Sequence, residues 1–440
     1  MSDRDCAAAA VDVTLEELQR EAFRYFLHET HPRNGLVLDK TAADWPASIA
    51  ATGLGLTAYP VAVERGFITR SAAVARVLTT LRFFRDSPQG PEPDATGHHG
   101  FYYHFLHMET GRRAWQCELS TVDSAILLAG ALAAACYFDA DTPDEREIRD
   151  TADALYRRAD WPWAQNGGVT VTHGWKPESG FLPWRWQGYD EALLLYVLGL
   201  GSPLHPLPAS SYAGWMSTYQ WKESYGLSYV YAGPLFIHQM SHIWIDFRGI
   251  QDAYMRDKGI DYFENSRRAT HVQRLYAIDN PLNYSHYCKD CWGITASDGP
   301  GPVTVKVDGV ERIFYDYLGR GVPYGPDDGT VAPWGVVSSL PFAPDIVLPA
   351  IEHMVHDLDL KLGNPYGFKA TFNPTFPEKN GNPNGWISPW HYGLNQGPIC
   401  SMIENYRSDL VWRLMRGCPY IVSGLRSAGF DGGWLASRAS

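Results

Sequence analysis

The sequence predicts an all-α fold, a toroid of helical hairpins with long aromatic loops gathered at one mouth. Two observations carry this. Segments with a helical apolar period recur along the chain, and nearly all-apolar ones alternate with amphipathic ones. The connections are also unequal: some are short turns, while 88–119, 167–188, 277–335 and 363–393 are long and aromatic. Inner helices buried all round, outer helices buried on one face, and long loops on one side would give this pattern. Structureless loops of such length are usually functional.

Residues 1–13 read as an N-terminal tail and 14–440 as a single domain. The first helix is expected over 14–29, opened by a Thr14/Glu17 capping box with Leu15, Leu18, Ala22 and Phe26 on one stripe. Segments 47–65 and 70–86 form a hairpin around Gly66. Segment 120–138 is apolar nearly all round and should be buried, whereas 142–164 is amphipathic with a Thr-Pro-Asp-Glu start. Helices are expected next over 189–200, 235–257, 260–276, 344–360 and 395–416. A strand pair is expected at 303–307 and 312–315 around Asp308-Gly309.

The chain has 440 residues, 45% hydrophobic and 13% aromatic, enough for a large core. Its net charge of −12 and lack of any Lys/Arg run argue against nucleic acid and anionic membrane as partners. The longest apolar run, 125–138, is too short to cross a bilayer. The start, Met1 to Cys6, lacks the charged-then-apolar pattern of a leader. The expectation is a soluble monomer, cytoplasmic as written, or periplasmic or secreted if a leader was removed. Seven scattered cysteines make no disulfide framework, and Cys288-Lys289-Asp290-Cys291 has no second pair at zinc spacing.

Two stretches carry chemistry. One runs from His173 through Trp175, Trp184, Trp186, Tyr189 and Asp190-Glu191 to Tyr196; the other runs from Gly233 through Phe236 and His238-Gln239-Met240-Ser241-His242-Ile243-Trp244-Ile245-Asp246 to Arg248. Both set carboxylates among aromatics and histidines at the mouth of an apolar helix. Sugar rings stack apolar faces on aromatics and need polar partners for their hydroxyls. Acetal cleavage needs two carboxyls. Glu191 is the leading general acid, expected one turn into an apolar helix where apolar neighbours would raise its pKa. Asp123, at the start of the most apolar helix, is the second carboxyl, with Glu118 as substitute and Glu404 third.

His238, His242 and Asp246 would share one helical face. Gln239 stands where a zincin has its Glu, so no metal is expected, and hydroxyl binding is preferred. Arg248 is expected to pair with Asp246 or Asp252. Glu264, Arg267 and Arg268 are expected to form a structural ion network, with Asn265 able to reach substrate. Trp175, Trp184, Trp186, Trp292, Trp334, Tyr366, Phe368 and Trp386 lie in polar loops and are candidate sugar platforms.

Longer motifs add a resemblance. They are Gly100-Phe101-Tyr102-Tyr103-His104-Phe105-Leu106, Glu118-Leu119-Ser120-Thr121-Val122-Asp123, Gly188-Tyr189-Asp190-Glu191, His238 to Arg248, Tyr262-Phe263-Glu264-Asn265 and Trp292 to Asp298. From about residue 14 to 417 the chain resembles the bacterial glucoamylase-like family, which contains the endo-β-1,2-glucanases of glycoside hydrolase family 144. The resemblance implies an (α/α)6 barrel, no cofactor and a neutral β-1,2-linked glucan as substrate. Tyr102, Tyr189, His238, Gln239, His242, Trp244 and Asn265, which lie in these motifs, are candidate substrate contacts. In that family an acidic residue follows Phe105-Leu106, where this chain has His107. Alternatives on the same scaffold are an exo-acting or transglycosylating enzyme. A lyase or epimerase would use His104, His238 or His242 as base, and a binding protein would have a dead site.

Overall fold

The computed structural model describes residues 3–377 and 381–436, with residues 3–10 described through their backbone alone. The helices, in chain order, are α1 (Asp3–His28), α2 (Ile49–Glu64), α3 (Arg70–Asp86), α4 (Thr121–Tyr137), α5 (Pro143–Arg158), α6 (Trp161–Ala164), α7 (Leu193–Gly201) and α8 (Ala209–Met216). They continue with α9 (Ala253–Lys258), α10 (Tyr262–Asp279), α11 (Pro333–Ser338), α12 (Pro344–Glu352), α13 (Gly393–Ser408), α14 (Leu410–Arg416), α15 (Pro419–Ser427) and α16 (Gly433–Ala436).

Six inner segments close a ring: α2, α4, α7, the paired 3-10 turns Leu235–His238 and Met240–Ile243, α11 and α13. Outside them pack α1, α3, α5, α8, α10 and α12. This is an (α/α)6 barrel. The inner members are buried on all sides and the outer ones on one stripe, so the alternation of apolar and amphipathic segments is the two-ring plan itself. The ring is tightest where α2 crosses α4. A Cβ on Gly130 would lie 2.0 Å from the carbonyl oxygen of Gly53, so only glycine permits this approach.

α14 packs against α2, α4 and α13, and α15 against α7, closing the end at which the inner helices finish. The N-terminal ends open onto the other mouth. Side chains cap two of these starts, those of α2 and α4: Ser48 Oγ accepts from Ala51 N at 3.2 Å, and Ser120 Oγ from Asp123 N at 3.3 Å. A five-stranded antiparallel sheet of two- and three-residue strands (Gly97–His98, Phe101–Tyr103, Leu119–Ser120, Gly174–Lys176, Gly180–Phe181) ties two mouth loops together, the one before α4 and the one before α7. The hairpin at Val303–Val307 and Val310–Phe314 stands where the sequence predicts it.

Several expectations need correction. α1 begins at Asp3, so most of the expected tail is helical and Thr14 lies inside the helix. Met1, Ser2 and 437–440 lie outside the described residues. The helix expected over 142–164 stops at Arg158, and Asp160 caps a separate turn before Pro162 (Trp163 N to Asp160 Oδ1, 3.1 Å). The helix expected from 189 starts at Leu193, so Glu191 lies in the turn before it.

The helix expected over 235–257 is two 3-10 turns, a coil and α9. Ile243, Trp244, Ile245 and Phe247 are all buried, so this stretch has no solvent face. His238, His242 and Asp246 therefore do not share a helical stripe. The last expected helix breaks at Asp409, which is left-handed at φ 57° and accepts from Arg248 at 2.8 Å. Among the described residues, no helix is long and apolar enough to cross a membrane.

Candidate active site

The first turns of the inner segments converge at the open mouth. There Asp123, Glu191, Phe236, Met240, Trp334, Leu394 and Asn395 line a cavity of about 360 Å3, with His104 and Tyr317 on its rim.

Asp123 arrives on the first turn of α4. Ser120 both caps that turn and donates from its hydroxyl to Asp123 Oδ2. Glu191 arrives by a stitched loop. Thr121 Oγ1 donates to Thr172 O at 2.7 Å and accepts from Trp186 Nε1 at 2.9 Å, fastening the 184–191 loop to the start of α4. Trp186 is further stacked on His173 at 3.8 Å. Asp190 is held by Trp215 Nε1 at 2.9 Å and Ala192 N at 3.0 Å. With Asp190 bound there, Glu191 faces the cavity, and among the described residues nothing hydrogen-bonds to its carboxyl.

The electrostatics follow from this placement. Burial, then the nearby Asp123 and Asp190, push the Glu191 carboxyl up to about 8, so it is mostly protonated at neutral pH. His104 is the counterweight. Burial opposes its charge, but Asp123, the hydrogen bond with Glu118 and Asp39 outweigh burial and push it up to about 9. Its Nδ1 lies 2.8 Å from Glu118 and its Nε2 3.7 Å from Asp123. Burial pushes Glu118 up, but the bond to His104 prevails and holds it below the ordinary carboxylate range. The mouth thus pairs a protonated carboxyl with a carboxyl beside an imidazolium, which suits general acid–base work at an acetal.

Many of the other sequence candidates lie elsewhere. Glu118 is outside the cavity and acts on His104. Glu404 lies at the closed end, 1% exposed, bound by Arg65 at 2.7 and 2.9 Å and Gln19 at 2.9 Å. Trp244 is in the core and donates to Thr57 Oγ1 at 2.9 Å. Gln239 donates to Gly335 O at 2.6 Å and Ser339 Oγ at 2.7 Å, joining two inner segments. His238 sits 3.1 Å from Ala232 O and His242 3.0 Å from Ser266 Oγ; burial pushes both well down, to about 4 and about 3.

Asn265 accepts from Val230 N at 2.7 Å, Tyr102 donates to Phe84 O at 3.2 Å, and Trp292 and Phe368 are core. Tyr366 donates to Glu29 and Tyr189 is packed among Tyr219, His238 and Tyr262. These residues are buried in the fold and none lines the cavity, although Gln239 Oε1, His242 Nδ1 and Trp292 Nε1 have no hydrogen-bond partner among the described residues. Trp175 is half-buried beside His98 and Trp163, and Trp184 is 63% exposed on the loop leading to Glu191. Arg248 does pair with Asp246, at 2.8 Å, and Glu264 with Arg267 and Arg268. Among the described residues, no group of three or more His, Cys, Asp or Glu is arranged to hold a metal ion.

Phe236 and Met240 lie in the second chemistry-bearing stretch but were given no role from sequence, and Tyr317, Leu394 and Asn395 were not singled out. Once an inner helix is recognised, its first turn is the signal, since each opens at the same mouth. Tyr317 carries no such signal; it comes from the long 277–335 loop.

A family model described as "putative glucoamylase" matches residues 183–419, more than half of the chain. The chain belongs to this family. The resemblance read from the motifs is borne out. A glucoamylase-family structure from Bacteroides uniformis is 32% identical, covers 96% of this chain and 98% of its own, and superposes at a TM-score of 0.83. The endo-β-1,2-glucanase of Chitinophaga pinensis, solved with sophorotriose and glucose, is 26% identical over 96% of this chain and 99% of its own, at a TM-score of 0.84. The exo β-1,2-glucooligosaccharide sophorohydrolase of Parabacteroides distasonis is 27% identical over 94% of this chain. The chain spans 57% of that curated relative's length.

Proposed function

We propose that this chain is a glycoside hydrolase that cleaves β-1,2-linked glucan internally, with inversion, to short oligosaccharides. Glu191 gives its proton to the leaving glycosidic oxygen. Asp123 removes a proton from the attacking water, directly or through a substrate hydroxyl, and His104 balances the charge of Asp123. The observation that carries this reading is the Glu191 carboxyl: it faces the same cavity as Asp123, has no described hydrogen-bond partner, and is held protonated at neutral pH by burial. Relatives named for β-1,2-glucan and its oligosaccharides supply the linkage. Leu394, Phe236 and Trp334 give the apolar walls, and Asn395 is placed to read hydroxyls.

The test is incubation with β-1,2-, β-1,3-, β-1,4- and α-1,4-glucans and chromatography of products over time. The reading expects a falling ladder of oligosaccharides from β-1,2-glucan. One disaccharide from the outset would make the enzyme exo-acting, and an ultraviolet-absorbing product would make it a lyase.

A further inference from the structure

Beside the catalytic cavity lies a second hollow of about 380 Å3, formed by Asp44, Trp45, His107, Glu109, Thr110 and Trp115 among others. Trp115 is 54% exposed, an unusual place for so large an apolar ring. Its backbone and that of Gln116 are both left-handed, at φ 55° and 52°. Two successive non-glycine residues in that region are unfavourable and persist only where surrounding structure imposes them.

Arg113 imposes them. Its buried guanidinium donates to Cys117 O at 2.6 Å and Gln116 O at 2.8 Å, and is itself held by Glu178 at 2.7 and 3.1 Å. Trp45 meets the Trp115 ring edge-on at 4.7 Å. Trp45 is in turn fixed by Asp39, 2.9 Å from its Nε1, and by Lys40 Nζ, 3.9 Å from its ring. A run of contacting rings links the pair to the catalytic cavity. Trp115 lies 5.2 Å from Phe105, which stacks at 3.9 Å on His104 at the cavity rim.

We propose that Trp45 and Trp115 form a distal sugar platform, on which a pyranose ring of a long neutral glucan stacks while the chain is cleaved at Glu191. Asp44, His107 and Glu109 at the edge of the hollow meet the hydroxyls. The proposal rests on the hydrolase reading above and adds to it a determinant of chain-length preference. Aromatic stacking of this kind is worth about three- to tenfold in affinity.

The experiment compares wild type, Trp115→Ala, Trp115→Tyr and Trp45→Ala. It measures kcat/KM on long-chain β-1,2-glucan and on the shortest oligosaccharide cleaved, together with tryptophan fluorescence of Glu191→Gln protein titrated with the long glucan. The ratio of long to short kcat/KM should fall about three- to tenfold in both alanine variants and be largely restored in Trp115→Tyr. The part of the fluorescence change that comes from Trp115 should be lost, leaving that of Trp334 in the catalytic cavity. An unchanged ratio in folded variants, or equal losses on long and short substrates, overturns the platform and leaves the hydrolase reading standing. If wild type cleaves no β-1,2-glucan, the hydrolase reading fails. The platform then stands only if a glucan of the panel gives a Trp115-dependent fluorescence change, and falls if none does.

Discussion

The Nε2 atom of His104 lies 3.7 Å from Oδ2 of Asp123 at the mouth of the barrel. The contact joins a loop residue to the first turn of α4, and Glu118 fixes the other ring nitrogen at 2.8 Å. Glu191, on the other loop, also feels His104, but burial, Asp123 and Asp190 outweigh it and keep the Glu191 carboxyl raised. At this mouth His104 is favoured as the cation and Glu191 is favoured with its proton.

Glu191 should set the alkaline limb of activity. With its pKa raised to about 8, kcat/KM should decline as pH rises through about 8, because the acid loses its proton. Its effect on stability has a defined sign. Between the ordinary carboxylate value of 4.5 and about 8 the folded chain binds the extra proton, so stability falls across that window as pH rises. Glu191→Gln should remove this slope and melt higher than wild type at pH 8 and above. A melting profile parallel to wild type would contradict the assignment.

His104 should contribute stability of the opposite origin but similar direction. Its pKa is raised from 6.5 to about 9, so its contribution is fully present below 6.5 and lost as pH rises through 9. His104→Asn should flatten the melting temperature over that window and lower kcat at least tenfold, since Asp123 loses its neighbouring cation. Asp123→Asn should lower kcat by about 10²–10⁴-fold. Near-normal turnover in Asp123→Asn would move the second role to another carboxyl.

Glu404 should matter for folding and not for chemistry. Removing a buried charge that satisfies Arg65, Gln19 and Ser408 typically costs about 3 kcal/mol. Glu404→Gln should lower the denaturation midpoint strongly and leave kcat of the folded fraction within twofold. Chemical denaturation with parallel active-site titration separates the two.

The two-ring plan was legible because burial on all sides and burial on one stripe write different patterns in α4 and α5. The place of Asp123 and Glu191 at one mouth was legible because each stands beside an apolar helix start. The histidine-rich stretch misled for a physical reason. His238, Gln239, His242 and Trp244 carry polar atoms of the kind a sugar site uses, but a barrel wall built from two 3-10 turns needs the same atoms to satisfy its neighbours. Gln239, for example, bonds Gly335 and Ser339. Tyr317 was out of reach because only the fold brings its distant loop to the rim.

Cleavage should invert the anomeric centre. Asp123 and Glu191 come from different inner segments, an arrangement that leaves room for water between acid and base. The first reducing end released from a β-linked glucan should be the α-anomer in early-time NMR. Early β-anomer would show retention and make the partner carboxyl a nucleophile.

The identity of the acid is the centre of the account, and one rate decides it: turnover of β-1,2-glucan by Glu191→Gln at neutral pH. General acid catalysis contributes about 10²–10⁴-fold, so the variant should keep no more than about a hundredth of wild-type kcat while still folding and binding the glucan. A folded variant that keeps more than about a tenth of the wild-type rate would contradict the account, because the proton would then come from another group.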